Sequence, residues 1–194
     1  MSVLVALDVA ILPPSDVGRR AIELSAALPE EESLGLCLDA ESLPHVTLVQ
    51  QYVAADDLDL LYTALDAALT NQPPLTLTVT GGGRSGGTVS MAIDPAPGLV
   101  RLHERLTGSL HRFERSDGNG EAFFGGNARA GDVAWVSTYR RKASLLAYRP
   151  HITLGHARQP PRIDPFAFEA TVVAACNLGR FCTCRRVLKA WDLR

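Results

Sequence analysis

An α+β fold built by duplication, with two lobes, is predicted by three features of the sequence. Strands alternate with amphipathic helices, that order is repeated roughly once, and Pro44-His45-Val46-Thr47-Leu48 returns as Pro150-His151-Ile152-Thr153-Leu154, 106 positions later. Mixed helices and strands pack as layers around one core, and a recurring unit points to two equivalent halves. A chain of 194 residues suits one such core, so residues 1–194 are read as a single bilobal domain, two pseudo-symmetric lobes with one His-x-Thr motif each.

The elements follow in order. VLVALDVA opens as a strand. SDVGRRAIELSAAL has apolar positions at helical spacing, with Ser15 or Asp16 as candidate N-cap. LPHVTLVQQYV is β-branched and apolar and is entered through Pro44, whose missing N–H suits a strand start. In DDLDLLYTALDAAL, Leu58, Leu61, Leu65 and Leu69 form one stripe, with Asp56 and Asp57 at the helix's positive end. PLTLTVT and TVSMAID read as paired strands joined by a GGGRSGG loop, which lacks the phosphate-cradling GxxxxGK[ST] pattern.

The second half restarts with PGLVRLHERLTGSLHRF, a helix carrying Leu99, Leu102, Leu106, Leu110 and Phe113 on one face and His103 and His111 as exposed residues. SDGNGEAFFGGNARAGD is the strongest irregular loop and a candidate cover for a site. VAWVSTYRRKASLLAY is ambiguous between helix and strand. YRPHITLGHA, FAFEATVVAACNL and FCTCRRVLKAWDL read as three closing strands.

Composition is that of a folded globular protein, with 46% hydrophobic and 21% charged residues. The opening MSVLVALDVAILPP is apolar for about ten residues, has no basic leader and contains Asp8, so it fails as a signal peptide or membrane span; a cytoplasmic protein with no membrane partner is expected. Cys37, Cys176, Cys182 and Cys184 are read as buried structural thiols, the last two on one side of a single strand. The net charge of −2 conceals an asymmetry: residues 1–100 hold three basic and thirteen acidic residues, and residues 101–194 sixteen basic and eight acidic. A local anion site fits this better than a broad nucleic-acid-coating surface.

The repeated pentapeptide carries the chemistry. Residues i and i+2 of a strand face the same way, so His45 with Thr47, and His151 with Thr153, make two polar pairs whose partners Val46, Leu48, Ile152 and Leu154 pack behind. If the lobes are related by a pseudo-two-fold axis, the pairs meet across a groove. Opening a cyclic phosphodiester needs a base, an acid and donors for the non-bridging oxygens. Two imidazoles with ordinary pKa near 6.5 and two hydroxyls supply all of these without a metal or other cofactor. His156, five positions after His151, has the opposite strand parity and is expected to face elsewhere.

PHVTL and PHITL resemble the paired H-x-[ST]-x signatures of the two-histidine (2H) phosphoesterase superfamily, which includes 2′-5′ RNA ligase-like proteins and 2′,3′-cyclic phosphodiesterases. The resemblance covers the whole chain, including the aromatic-x-Pro before the second histidine, here Tyr148, Arg149 and Pro150. It implies a bilobal α+β fold with two antiparallel sheets facing a central cleft and helices on the outside, His45 and His151 as the acid–base pair, and Thr47 and Thr153 as phosphate binders. VQQYV replaces the aromatic and glycine-containing run that often follows the first motif.

Such clefts usually add an aromatic or basic substrate contact; the candidates are Tyr148, Arg149 and Tyr52, with Gln50, Tyr139 and Arg140 behind them. The implied activity is metal-independent hydrolysis of 2′,3′-cyclic phosphates on RNA ends or nucleotides by a monomer. The alternatives are 2′-5′ RNA ligation and nucleotide or RNA-end binding without turnover.

Overall fold

The computed structural model describes residues 2–194. Eight antiparallel strands form one curled sheet: β1 (Leu4–Leu12), β2 (Val46–Ala54), β3 (Leu75–Ser85), β4 (Thr88–Ile93), β5 (His151–His156), β6 (Phe166–Ala170), β7 (Val172–Leu178) and β8 (Cys184–Asp192). Four α-helices accompany them, α1 (Ser15–Ala26), α2 (Leu58–Leu69), α3 (Pro97–Leu110) and α4 (Ala130–Ala143).

The spatial order is β6-β3-β4-β5-β2-β1-β7-β8. It divides at its middle: β5 and β2 share one registered pair, Val46 with Ile152, whereas β2 runs beside β1 for eight registered pairs. Four strands therefore stand on each side of a thin seam, and the two motif strands are the ones that meet there. The sheet halves are not the chain halves that the sequence suggested. β3 and β4, from the acidic first half, join β5 and β6, while β7 and β8 return to β1 and β2.

Three local expectations need correction. α1 starts directly after Pro14, whose carbonyl accepts the Gly18 N–H at 2.9 Å, so Ser15 is its first residue and neither Ser15 nor Asp16 is the cap. The GGGRSGG run is mostly strand: β3 continues to Ser85, and only Gly86 and Gly87 make the turn. Its glycines permit close approach, since a Cβ on Gly82 would lie 2.2 Å from the Pro161 carbonyl oxygen. FAFEATVVAACNL is two strands, β6 and β7, separated by Thr171 and placed in opposite sheet halves. The strand ends, two Cα steps apart, lie within about 7 Å of each other, so the sheet must curl until the β6 edge comes beside β7.

The apolar stripes fill the core as their periodicity predicts. Leu61, Leu65 and Leu69 of α2 and Leu99, Leu102, Leu106 and Leu110 of α3 pack with Val46, Leu48, Met91, Ile152 and Leu154 behind the motif strands. The ambiguous segment becomes α4, followed by a short 3₁₀ turn, Leu145–Ala147. With the Gly-rich loop before it, α4 covers the other face of β1 and β2, where Ala6, Tyr52, Phe123, Val136 and Leu178 form a second cluster.

Cys176 and Cys184 are buried, but Cys37 is exposed. Cys182 lies in a 3₁₀ turn at φ 54°, so it and Cys184 do not share a strand as expected. Among the described residues no helix is long and apolar enough to cross a membrane.

Candidate active site

The seam brings the repeated motifs together. Val46 and Ile152, the registered pair, are both fully buried in the core. Their neighbours therefore project from the opposite face. Because the strands are antiparallel, His45 lies across from Thr153 and Thr47 across from His151. The four side chains surround one point on the sheet, each histidine opposite the other motif's threonine.

Both imidazoles are held in the same way. His45 Nδ1 donates to the Leu43 carbonyl at 2.8 Å, and His151 Nδ1 donates to the Arg149 carbonyl at 2.7 Å. A carbonyl only accepts, so Nδ1 carries the hydrogen and Nε2 of each ring is left for chemistry. The His151 side chain is solvent-exposed at its surface, yet desolvation by the protein crowded around the ring pushes its pKa downward from the ordinary value; the Arg149 bond opposes this, and the His45 charge adds to it.

The motifs also share an irregularity. Ala10 pairs with Thr47 but Val9 with Val49, leaving Leu48 as an extra residue; Ser90 pairs with Thr153 but Val89 with Gly155, leaving Leu154 as the other. A β-bulge after each motif reverses the parity of the residues beyond it. It returns Gln50 and His156, each five positions beyond its motif histidine, to the motif face. The expectation that His156 faces elsewhere is therefore overturned: its ring centroid lies 5.7 Å from that of Phe181, and burial with the Arg129 charge lowers its pKa.

Asp8 is the site residue that sequence reasoning did not assign. It is fully buried beneath the first motif. Its Oδ2 accepts hydrogen bonds from Thr47 Oγ1 at 2.8 Å and Gln50 Nε2 at 2.7 Å and lies 3.5 Å from His45 Nε2, while Oδ1 has no partner. Burial pushes its carboxyl upward, more strongly than the His45 charge and the bonds from Gln50 and Thr47 pull it down. A lone acidic residue in the apolar strand VLVALDVA was the available signal.

Further candidates hold the scaffold. Tyr52 is buried under α4, with its hydroxyl on the Val133 carbonyl at 3.2 Å. Tyr148 is buried too; its hydroxyl donates to the Thr47 carbonyl at 3.0 Å, bracing the first motif from the segment that leads to the second. Tyr139 is buried, and Arg140 donates to the Thr107 carbonyl at 3.1 Å. Arg149 is exposed and folds back onto the Leu146 and Tyr148 carbonyls.

His103, expected on an exposed helix face, is fully buried. It stacks on Tyr148 with centroids 3.9 Å apart and planes 2° from parallel. Its Nδ1 donates to the Leu48 carbonyl at 2.6 Å and its Nε2 accepts the Leu145 N–H at 2.8 Å, so it ties the first motif to the turn that precedes the second. His111 is exposed, as expected.

Asp8, His45 and Cys184 place one ligand atom each within 4.8 Å of one another. Burial pushes the Cys184 thiol well up, with Cys176 and Asp8 adding to it, which opposes the thiolate a metal would need. The arrangement is better suited to proton transfer.

A family model described as the 2′-5′ RNA ligase superfamily matches residues 13–177. Among solved structures, Escherichia coli LigT complexed with NADP+ is 22% identical with a TM-score of 0.63, the match covering 98% of each chain. LigT complexed with 3′-AMP is 21% identical with a TM-score of 0.61 and 97% of each chain covered. A phosphoesterase crystal structure is 23% identical with a TM-score of 0.61, over 97% of this chain and 98% of its own. No curated protein matches the sequence. The structural likenesses establish the fold, the α+β architecture expected from the sequence.

Proposed function

The chain belongs to the 2′-5′ RNA ligase superfamily, and from that premise we propose that it is a metal-independent phosphodiesterase, opening 2′,3′-cyclic phosphates of RNA ends or nucleotides to monoesters. The observation that carries the reading is the seam: one buried pair of residues flanked on a single face by two threonines and two histidines, each ring held through Nδ1 by a backbone carbonyl. In this reading acid, base and phosphate donors are set around one phosphate. LigT binds 3′-AMP in its crystal structure, a nucleotide phosphate of the class proposed here.

In this mechanism His151, whose pKa its surroundings push downward, takes a proton from water as the water oxygen bonds to phosphorus. The bond from phosphorus to one ribose oxygen breaks, and that oxygen receives the proton of His45. The Thr153 and Thr47 hydroxyls hold the non-bridging oxygens, Thr47 turning its hydrogen from Asp8 to the anion. Charge building on those oxygens is stabilised by the two hydroxyl donors held beside them, the usual source of much catalytic stabilisation.

The test is turnover of a 2′,3′-cyclic nucleotide with excess chelator present, followed across pH. The rate is expected to survive the chelator. Because His151 acts only when deprotonated and its pKa is depressed, kcat/KM rises with pH through a midpoint below the ordinary imidazole value of about 6.5. A profile flat between pH 5 and 8, or a rate abolished by chelator, contradicts the mechanism. Adding an RNA strand with a free 5′-hydroxyl tests the ligase direction: a joined product would put that hydroxyl in the place of water.

A further inference from the structure

We propose that Trp135 is the platform on which the substrate's nucleobase stacks, an inference that rests on the nucleotide-phosphate reading of the cleft and adds to it the group that recognises the base. Trp135 lies on α4, the helix packed over the motif face of β2. It is 41% exposed, whereas its neighbours Val136 and Tyr139 are buried.

Its position is fixed rather than incidental. The indole Nε1 donates to Gln50 Oε1 at 3.0 Å. Gln50 Nε2 donates to Asp8 at 2.7 Å and approaches Thr47 Oγ1 at 3.3 Å. The exposed ring is thus two hydrogen bonds from a residue proposed to hold the phosphate. From below, the edge of Tyr139 supports it, with ring centroids 6.2 Å apart and planes at 76°.

The bulge at Leu48 makes this possible, because without it Gln50 would face the core. Gln50 is then engaged between Asp8 and Trp135, and the indole it holds stays partly exposed beside the first motif. A large aromatic ring held in one orientation suits a base, since every nucleobase has a π-face and stacking needs little induced fit. It predicts tolerance of base identity together with a demand that a base be present.

Two substrates and one reporter test this. Trp135→Ala is expected to raise KM for 2′,3′-cyclic AMP at least tenfold more than for glycerol 1,2-cyclic phosphate, which has the ring but no base, with Trp135→Phe recovering most of the difference. In a Trp191→Phe background, which leaves Trp135 as the only tryptophan, 3′-AMP should quench the fluorescence and inorganic phosphate should not. Equal losses on both substrates, or no quenching at saturating 3′-AMP, overturns the proposal. Quenching without turnover of any cyclic phosphate would sink the hydrolytic reading and leave the platform standing.

Discussion

His45→Ala and His151→Ala are each expected to lower kcat for opening a 2′,3′-cyclic nucleotide by about 10²- to 10⁴-fold, the contribution of one positioned proton-transfer group. The double variant should lose little more than the worse single one, because an acid and a base that act in one step fail together. The loss should also reshape the pH profile. His151→Ala should remove the low-pH limb. Both rings sit on the face opposite the core, so a melting temperature within a few degrees of the parent's would separate lost chemistry from lost fold. A variant retaining more than a tenth of parental kcat would show that its imidazole takes no part.

His103→Ala should be the most destabilising single change near the site. The ring is fully buried against Tyr148, and its two nitrogens satisfy a strand carbonyl and a turn N–H. Deleting it opens a cavity and strands both backbone groups, a combined cost of about 3–5 kcal/mol. Urea unfolding measures it directly, and a loss under about 1 kcal/mol would contradict the bridging role.

The pH dependence gives a second readout of the same residue. Burial depresses the folded-state pKa of His103, so the unfolded chain takes up the proton first. The contribution is fully present above the ordinary value of about 6.5 and is lost as pH falls from there toward the folded value. Stability measured at pH 7.5 and 5.5 should therefore drop less with acid in His103→Ala than in the parent. Leu145, whose N–H the ring accepts, sits at φ 55°, a conformation disfavoured for a leucine. Loss of the ring should loosen the turn that leads to His151.

The motif face was legible because strand parity is a short-range rule: two residues from His45 to Thr47, with no irregularity between them. The same rule fails alike at His156 and Gln50, because an extra residue at Leu154 or Leu48 is set by pairing with β4 or β1 and leaves no mark in the local pattern. Asp8 and His103 were visible as residue types but not as partners. One looked like a stray charge in a strand and the other like a polar helix residue, and only tertiary packing brings them to Thr47 and Tyr148. The glycine run read as a loop because freedom and close approach call for the same residue; the backbone of Pro161 against Gly82 decides between them. The split of β6 from β7 at Thr171 was hidden by continuous β propensity, which says nothing about which edge a strand joins.

The two motifs are held to act on one anion, and a structure of the protein with bound inorganic phosphate tests that most directly. Phosphate oxygens are expected within hydrogen-bonding distance, about 2.6–3.2 Å, of Nε2 of both His45 and His151, with the Thr47 and Thr153 hydroxyls turned toward them. Phosphate held instead among Arg180 and Arg185, which line a separate open cavity of about 260 Å³, with both Nε2 atoms untouched, would contradict it.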